Sequence, residues 1–422
     1  MTSQSDISLL LTFRAEMIDP SLPTGLWWCA TPEDAAAVGI NAVCKNRYAA
    51  WEDLAACTEF ITQFCYVFVA TPNDADREEI VGQLQKWVPV TILVADKAAF
   101  RGNESVAELL DNAGPKAVES LLFGALDVPR PGLIDLSQVE MDAPISQNRM
   151  MSGLVPLDYC TGGFRGGELS VWTGRRGEGK STLLGQMLVE SINQNRTVCA
   201  YSGELPARQF KRFVLPQIAG PRNLVEQPDP RTGRMEYAPS KEAVRAIDQW
   251  LEGSFLLTDL RQSNAHDEDN ILRLFEYAYR RYGCSVYLVD NIMTASLKGE
   301  VELGHYGAQK AFTQRLSAFA KRHDVHVHLV AHPRKAGEER GLTADDVAGA
   351  VEITNLADNV FSVERAKESD EVDSRIRIIK ARETGSREVI PLMFDAKSRR
   401  YYDAGGNPTK RYSWEAARDG HG

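Results

Sequence analysis

Five short segments carry side chains whose types and spacing suit hydrolysis of a nucleoside triphosphate. Gly174-Arg-Arg-Gly177-Glu-Gly179-Lys180-Ser181-Thr182 spaces its glycines so that backbone N–H groups can close around phosphate oxygens. Lys180 then reaches the β- and γ-phosphates, Ser181 offers a hydroxyl to Mg²⁺, and Thr182 leads into the next element. Hydrolysis also needs a second metal contact, a base for the attacking water, and positive charge on the departing phosphate. Asp290 ends the apolar run Val286-Tyr-Leu-Val-Asp290, where it can hold Mg²⁺ through water. Glu204, in Ala200-Tyr-Ser-Gly-Glu204, is a carboxylate able to polarise that water. His332, in His328-Leu-Val-Ala-His332-Pro-Arg-Lys335, suits a hydrogen bond to the γ-phosphate. Ile378-Ile-Lys380-Ala-Arg382 sets two cations two apart, Arg382 being a candidate arginine finger for a neighbouring subunit's ATP. Each has a plainer alternative: a surface Gly-rich turn for the phosphate loop, a helix-capping Asp290, an N-capping or solvent-facing Glu204, a surface imidazole at His332, a solvated basic turn at 380–382.

These residues work only if elements bring them together. Leu169-Ser-Val-Trp-Thr173 reads as a buried strand entering the phosphate loop, and Thr182-Leu-Leu-Gly-Gln-Met-Leu-Val-Glu-Ser-Ile as the helix leaving it. Further strands are expected at Val198–Ser202, Phe255–Thr258, Val286–Asp290, His326–Ala331, Asn359–Val363, Arg375–Lys380 and Val389–Phe394. Helical patterns separate the early strands and short polar turns the late ones. The expectation is an open parallel sheet finished by antiparallel strands. In such a sheet the C-terminal strand ends face the ligand, and Glu204, Asp290 and His332 follow such ends.

Upstream, strands at Leu26–Ala30, Cys65–Ala70 and Thr91–Val94 alternate with helices at Asp34–Val38, Asp76–Trp87 and Glu104–Asn112. The fold class is α/β in both halves. Residues 1–127 are expected to form a small parallel α/β domain, and 128–148 a polar connector with a short helix at Leu133–Met141. The ATP-binding domain is expected over 149–402, with a mobile tail rich in Gly and charge over 403–422.

No apolar run approaches the ~20 residues of a membrane span, and the N-terminus lacks the character of a signal or transit peptide. Seven cysteines without a C-x-x-C pair argue against a disulfide framework or a zinc site, and Cys199 and Cys284 read as small core residues. The expected compartment is the cell interior. The net charge of -10 is unevenly spread: residues 1–127 hold 8 Lys and Arg against 18 Asp and Glu, the remainder 40 against 40. A neutral ATP-binding domain can still grip a polyanion through local loops, so charge excludes no nucleic-acid partner.

The ordered set Thr161-Gly-Gly-Phe-Arg-Gly-Gly-Glu, the phosphate loop, Ser202-Gly-Glu204, Leu288-Val-Asp290-Asn, His332-Pro-Arg-Lys335, Asp346-Val-Ala-Gly-Ala-Val-Glu352 and Lys380-Ala-Arg382 resembles the hexameric replicative helicases. Among these the likeness is to the Twinkle-like and bacteriophage primase-helicases of the DnaB/RecA-like superfamily, over roughly 148–400. The resemblance implies ATP and Mg²⁺ as cofactors, with Lys180 and Ser181 on phosphate and metal, Asp290 as second metal contact, Glu204 as base and His332 as γ-phosphate sensor. It implies that Lys380 and Arg382 act across a subunit interface and that Arg365 and Phe394 sandwich the adenine. Loops facing the centre of a ring would grip single-stranded DNA, here through Lys298, Arg334, Lys335 and Arg340. The implied partners are single-stranded DNA, further copies of the chain in a ring of six or seven, and a separate primase or polymerase. The implied setting is the cytoplasm and its nucleoid, with a phage or mobile element as the source.

The N-terminal layout resembles a Toprim fold, the catalytic domain of phage-type primases, in which acidic clusters gather Mg²⁺. At the expected glutamate stands Ala30, at the expected Asp-x-Asp Pro72-Asn-Asp74, and at the last cluster Arg101-Gly-Asn-Glu104. Asp34, Asp74 and Glu104 remain, as a weak metal site or as ordinary acids. The resemblance thus implies a degenerate domain without primer synthesis. Three rival readings stay open: a RecA-like ATPase of assembly or signalling that unwinds nothing, an active primase-helicase, and an N-terminal platform for a loader.

Overall fold

The computed structural model describes residues 11–12, 25–139, 149–228, 231–332, 350–367, 369–406 and 408–419. The chain divides into two compact units, Met1–Met141 and Asp142–Gly422.

The first unit is built on a sheet ordered Leu11–Thr12, Ala42–Lys45, Leu26–Cys29, Tyr66–Ala70, Thr91–Val94, Leu126–Asp127. Its four inner strands are parallel and both edge pairs antiparallel. The three expected strands and three expected helices form, with helices at Pro32–Val38, Asp74–Trp87 and Val106–Ala113. Side-chain caps start each one: Thr31, Asn73 and Ser105 accept from backbone N–H groups of the first turn. The strand Ala42–Lys45 escaped the sequence because Val43 is the only strong strand former in four residues. Past Asp127 the expected helix at Leu133–Met141 is reduced, among the described residues, to one turn of 3₁₀ helix at Leu136–Gln138.

The second unit holds a nine-stranded sheet. Its order is Phe255–Leu257, Val198–Ser202, Val286–Asp290, His326–Val330, Leu169–Thr173, Asn359–Arg365, Ser374–Ala381, Val389–Asp395, Arg400–Asp403. The first six run parallel and the rest continue antiparallel, as the spacing of turns predicts. Every residue of the four central strands is buried. This is why those strands read as continuous apolar runs rather than alternating ones.

The pleat sorts their side chains onto two cores. Leu169, Val171, Tyr201, Tyr287, Val289, Val327 and Leu329 face Phe275, Phe312 and Leu316 of the helices Glu268–Tyr282 and Glu300–His323. Trp172, Val198, Ala200, Leu288 and Val330 face Leu183, Leu184, Met187 and Leu188 of the helix Lys180–Asn193. Helices on both faces leave the carboxyl edge of the sheet open.

The tail corrects an expectation. Residues 413–419 are helical, and Tyr412 and Trp414 are 3% and 1% exposed. They pack with Phe210, Val214, Ile218 and Ile247. Gly and charge in 403–410 masked two aromatic anchors in the residues that follow. A further strand, Arg400–Asp403, and a hairpin, Leu224–Pro228 with Met235–Pro239, were also not foreseen.

Candidate active site

The open edge carries a cleft of about 490 Å³, lined by Arg176, Gly177, Gly179, Lys180, Ser181, Thr182, Glu204, Asp290, Asn291 and His332. The phosphate loop is shaped by close approach as well as by turning. A Cβ on Gly174, whose φ is +140°, would lie 2.3 Å from the Val363 carbonyl oxygen. One on Gly179, at φ +91°, would lie 1.9 Å from the Tyr401 hydroxyl. Gly179 in the left-handed region then starts the helix Lys180–Asn193, whose free N–H groups face the cleft.

Lys180 is 6% exposed, and its Nζ donates to the carbonyls of Gly174 (2.7 Å) and Arg175 (2.8 Å). Burial pulls its pKa down, while Asp290, Glu178 and Glu204 oppose that shift. Asp290 ends a fully buried strand, and burial pushes its carboxyl above the usual range. A hydrogen bond with the Ser181 side chain works the other way. A buried carboxylate beside a hydroxyl is an oxygen donor set suited to Mg²⁺, which keeps most of its waters and takes further oxygens from phosphate. The two residues fit the metal that the phosphate loop implies.

Glu204 and His332 come from neighbouring strand ends on either side of Asp290, as the parallel order requires. The Glu204 side chain is 62% exposed and that of His332 20%, with 4.0 Å between Oε1 and Nε2. Asn291 stands between them. Its Nδ2 donates to Glu204 Oε1 at 2.5 Å and lies 3.2 Å from His332 Nε2. Burial lowers the His332 pKa, and the nearby Lys180 charge lowers it further. Both effects favour the neutral imidazole, while the Glu204 carboxylate opposes them.

Lys380 and Arg382 do not join this cleft. In register Lys380 lies opposite Val360, which pairs with Val171, so both cations sit toward the edge of the sheet away from the phosphate loop. The Nζ of Lys380 donates to the carbonyls of Thr354 (3.0 Å) and Ala357 (2.6 Å), at the end of the helix Ala350–Leu356. Arg382 pairs at 3.1 Å with Asp358, a buried carboxylate that also accepts from Leu169 N–H. Arg365 and Phe394 do lie at the phosphate-loop edge. The Arg365 backbone N–H donates to Glu178 of the loop, and the Phe394 ring packs 4.8 Å from Tyr401. Lys298 is ion-paired with Asp269, while Arg334, Lys335 and Arg340 lie outside the described residues.

Sequence reasoning missed Asn291, Arg176 and Tyr401. Asn291 follows Asp290 directly, and its neighbour was the signal. Tyr401 lies more than two hundred residues from the glycine it touches, so nothing local pointed to it.

In the N-terminal unit, Asp34 is 3% exposed and structural: its Oδ1 accepts from Ala107 N–H at 2.9 Å and its Oδ2 from the Thr31 hydroxyl at 2.9 Å. Asp74 pairs with Lys97 at 2.8 Å and with Arg77. Glu104 is exposed. Among the described residues no three His, Cys, Asp or Glu side chains gather as a metal site, and no described helix is long and apolar enough to cross a membrane.

Comparison with known proteins follows the same lines. Residues 150–403 match the family model described as the DnaB-like helicase C-terminal domain. The chain is 22% identical over 408 residues to a Twinkle homolog protein, chloroplastic/mitochondrial, of Arabidopsis thaliana, covering 90% of this chain and 56% of the relative. It is 22% identical over 373 residues to a DNA helicase/primase of Enterobacteria phage T3, covering 82% and 62%. The chain thus spans little more than half the length of these curated relatives. Two solved structures share the fold. One is an ATPase domain (TM-score 0.50, 16% identity, 61% of this chain and 93% of that one). The other is a DnaB-like replicative helicase studied for its interactions with primase (TM-score 0.53, 15% identity, 83% and 84%).

Proposed function

From a chain that belongs to the family of DnaB-like helicase C-terminal domains, we infer an ATP-driven DNA helicase that forms a ring and moves along single-stranded DNA. The observation that carries the reading is the convergence of Lys180, Ser181, Glu204, Asp290 and His332 on one cleft at the carboxyl edge of the sheet. In that cleft Lys180 and the loop N–H groups hold the β- and γ-phosphates. Ser181 and Asp290 would hold Mg²⁺, which when bound would supply charge neutralisation for the transferred phosphoryl group. Glu204 takes the proton of the attacking water, and His332 contacts the γ-phosphate. Arg365 and Phe394 flank the adenine.

Lys380 and Arg382 face away from their own cleft, which suits a role at a neighbour's cleft in a ring of six or seven copies. Lys298, Arg334, Lys335 and Arg340 are the cations proposed for the DNA backbone. A buried Asp34 and a neutralised Asp74 favour an N-terminal unit that makes no primers and leaves that task to a separate primase. Such a motor works at replicating DNA in the cytoplasm, and the layout suits a phage or mobile element.

The test is ATP hydrolysis with and without single-stranded DNA, alongside the mass of the assembly with Mg²⁺ and nucleotide. Stimulation by DNA in a ring-sized assembly is expected. Hydrolysis by a monomer indifferent to DNA overturns the helicase reading and leaves an ATPase of assembly or signalling.

A further inference from the structure

We propose that Asn291 is a positioning residue, whose carboxamide joins Glu204 and His332 into one hydrogen-bonded unit and so links γ-phosphate contact to alignment of the base. The proposal rests on the reading of Glu204 as that base.

The geometry fixes which way the carboxamide points. Asn291 is 2% exposed, and its Oδ1 accepts from the Met293 N–H at 2.9 Å. The NH₂ group must therefore face the cleft, where its two hydrogens meet two acceptors, Glu204 Oε1 and His332 Nε2. Glu204 and His332 are 4.0 Å apart and make no hydrogen bond of their own. Asn291 is the link between them.

Two consequences follow. Glu204 extends into solvent on a long flexible side chain, and a base in that setting aligns a water well only if its carboxylate is pinned. Asn291 supplies the pin. His332, meanwhile, can accept at Nε2 only with its proton on Nδ1. To donate from Nε2 to a γ-phosphate it must release Asn291. Phosphate contact and the Asn291–His332 bond thus compete for one ring nitrogen, and the amide that also holds Glu204 registers the outcome.

A plainer role exists: Asn291 caps the turn Ile292–Thr294. Capping uses only Oδ1, so an aspartate would serve equally well. Asn291→Asp keeps the cap and the shape while replacing both N–H donors with a carboxylate oxygen, and Asn291→Ala, which removes the donors and the cap without adding charge, controls for the like charge set beside Glu204.

The experiment measures single-turnover and steady-state ATP hydrolysis on the full chain, and separately the equilibrium binding of a fluorescent ATP analogue. It is run for wild type, both Asn291 variants, Glu204→Gln, and Glu204→Gln combined with Asn291→Asp. The expected result is a fall in kcat of about 10- to 100-fold for both Asn291 variants, with KM and analogue affinity within about threefold. In the Glu204→Gln background, Asn291→Asp should add less than about twofold, because a residue acting through Glu204 has nothing left to position. Wild-type kcat in Asn291→Asp overturns the proposal. So does a loss confined to KM, or an equal fold-loss in both backgrounds. Wild-type hydrolysis by Glu204→Gln is a separate failure, which removes Glu204 as the base and the proposal with it.

Discussion

Lys180 has two tasks at the scale of single residues. In the cleft as it stands its ammonium group satisfies the carbonyls of Gly174 and Arg175, holding the loop in shape. On the proposed reading the same group turns to phosphate when nucleotide binds. Lys180→Ala is therefore expected to weaken nucleotide binding by about two orders of magnitude, read by titration with a fluorescent analogue. Glu204→Gln should behave in the opposite way. If Glu204 is the base, the change removes that base but no phosphate ligand, so kcat should fall by roughly 10²- to 10⁴-fold while nucleotide affinity stays near wild type. An affinity loss as large as that of Lys180→Ala would reassign Glu204 to binding.

At the scale of elements, the least expected feature is how the chain after the last strand is held. Arg400 is 2% exposed, and its guanidinium donates to the carbonyls of Gln217 (2.6 Å), Pro408 (2.9 Å), Lys410 (2.5 Å) and Ile218 (3.2 Å). Its face also lies 4.7 Å from the Tyr412 ring. The Trp414 indole N–H reaches the Ile218 carbonyl at 3.1 Å. One arginine thus fastens two turns of the tail to the end of the helix Ala207–Ala219. Arg400→Met strands several buried carbonyls and is expected to cost about 3 kcal/mol, seen as a lower urea midpoint and faster proteolysis after residue 406. Unchanged protease resistance would mean that Trp414 alone anchors the tail. The strand Arg400–Asp403 also carries Tyr401 under Gly179, so this element supports the phosphate loop as well.

For the whole molecule, two expectations concern pH and assembly. His326 and His328 lie fully inside the core of the second unit with ring centroids 4.5 Å apart. Burial lowers the pKa of His326 to about 4 and holds that of His328 well below the usual imidazole range. Both are neutral in the fold, whereas in the unfolded chain they protonate near pH 6.5. Stability is therefore complete above about pH 6.5 and falls as pH drops, by up to ~1.4 kcal/mol per pH unit for each histidine, until His326 protonates in the fold near pH 4. Urea unfolding between pH 7 and pH 5 should show that slope, and His328→Leu should reduce it; an unchanged slope assigns it to other groups. Assembly is tested by mixing. If Arg382 acts on a neighbour's ATP, Arg382→Ala and Glu204→Gln rings are each inactive, yet mixed rings recover hydrolysis at interfaces that pair an intact Glu204 with an intact Arg382. No recovery after subunit exchange would argue that Arg382 serves only Asp358 in its own chain.

Much of this protein was legible without coordinates, because its chemistry is spelled in contiguous stretches. The phosphate loop, the acid closing Val286–Asp290 and the parallel strands declare themselves through local spacing and through apolar runs buried on both sides. The central strand positions and the alternation of faces follow from the same local rules. Tertiary structure decided whatever depends on distant partners. It turned Asp34 and Asp74 from candidate metal ligands into a hydrogen-bonded clasp and an ion pair. It ordered a tail whose composition suggested mobility, since two aromatic residues outweigh several glycines once a groove exists to receive them. It sent Lys380 and Arg382 to the far edge of the sheet, because antiparallel pairing reverses the direction of that strand. It also set Asn291 between Glu204 and His332, residues 87 and 41 positions away. Local sequence determines which backbone an element adopts, whereas a side chain's role depends on what packing brings within about 3 Å of it, and that is a property of the assembled fold.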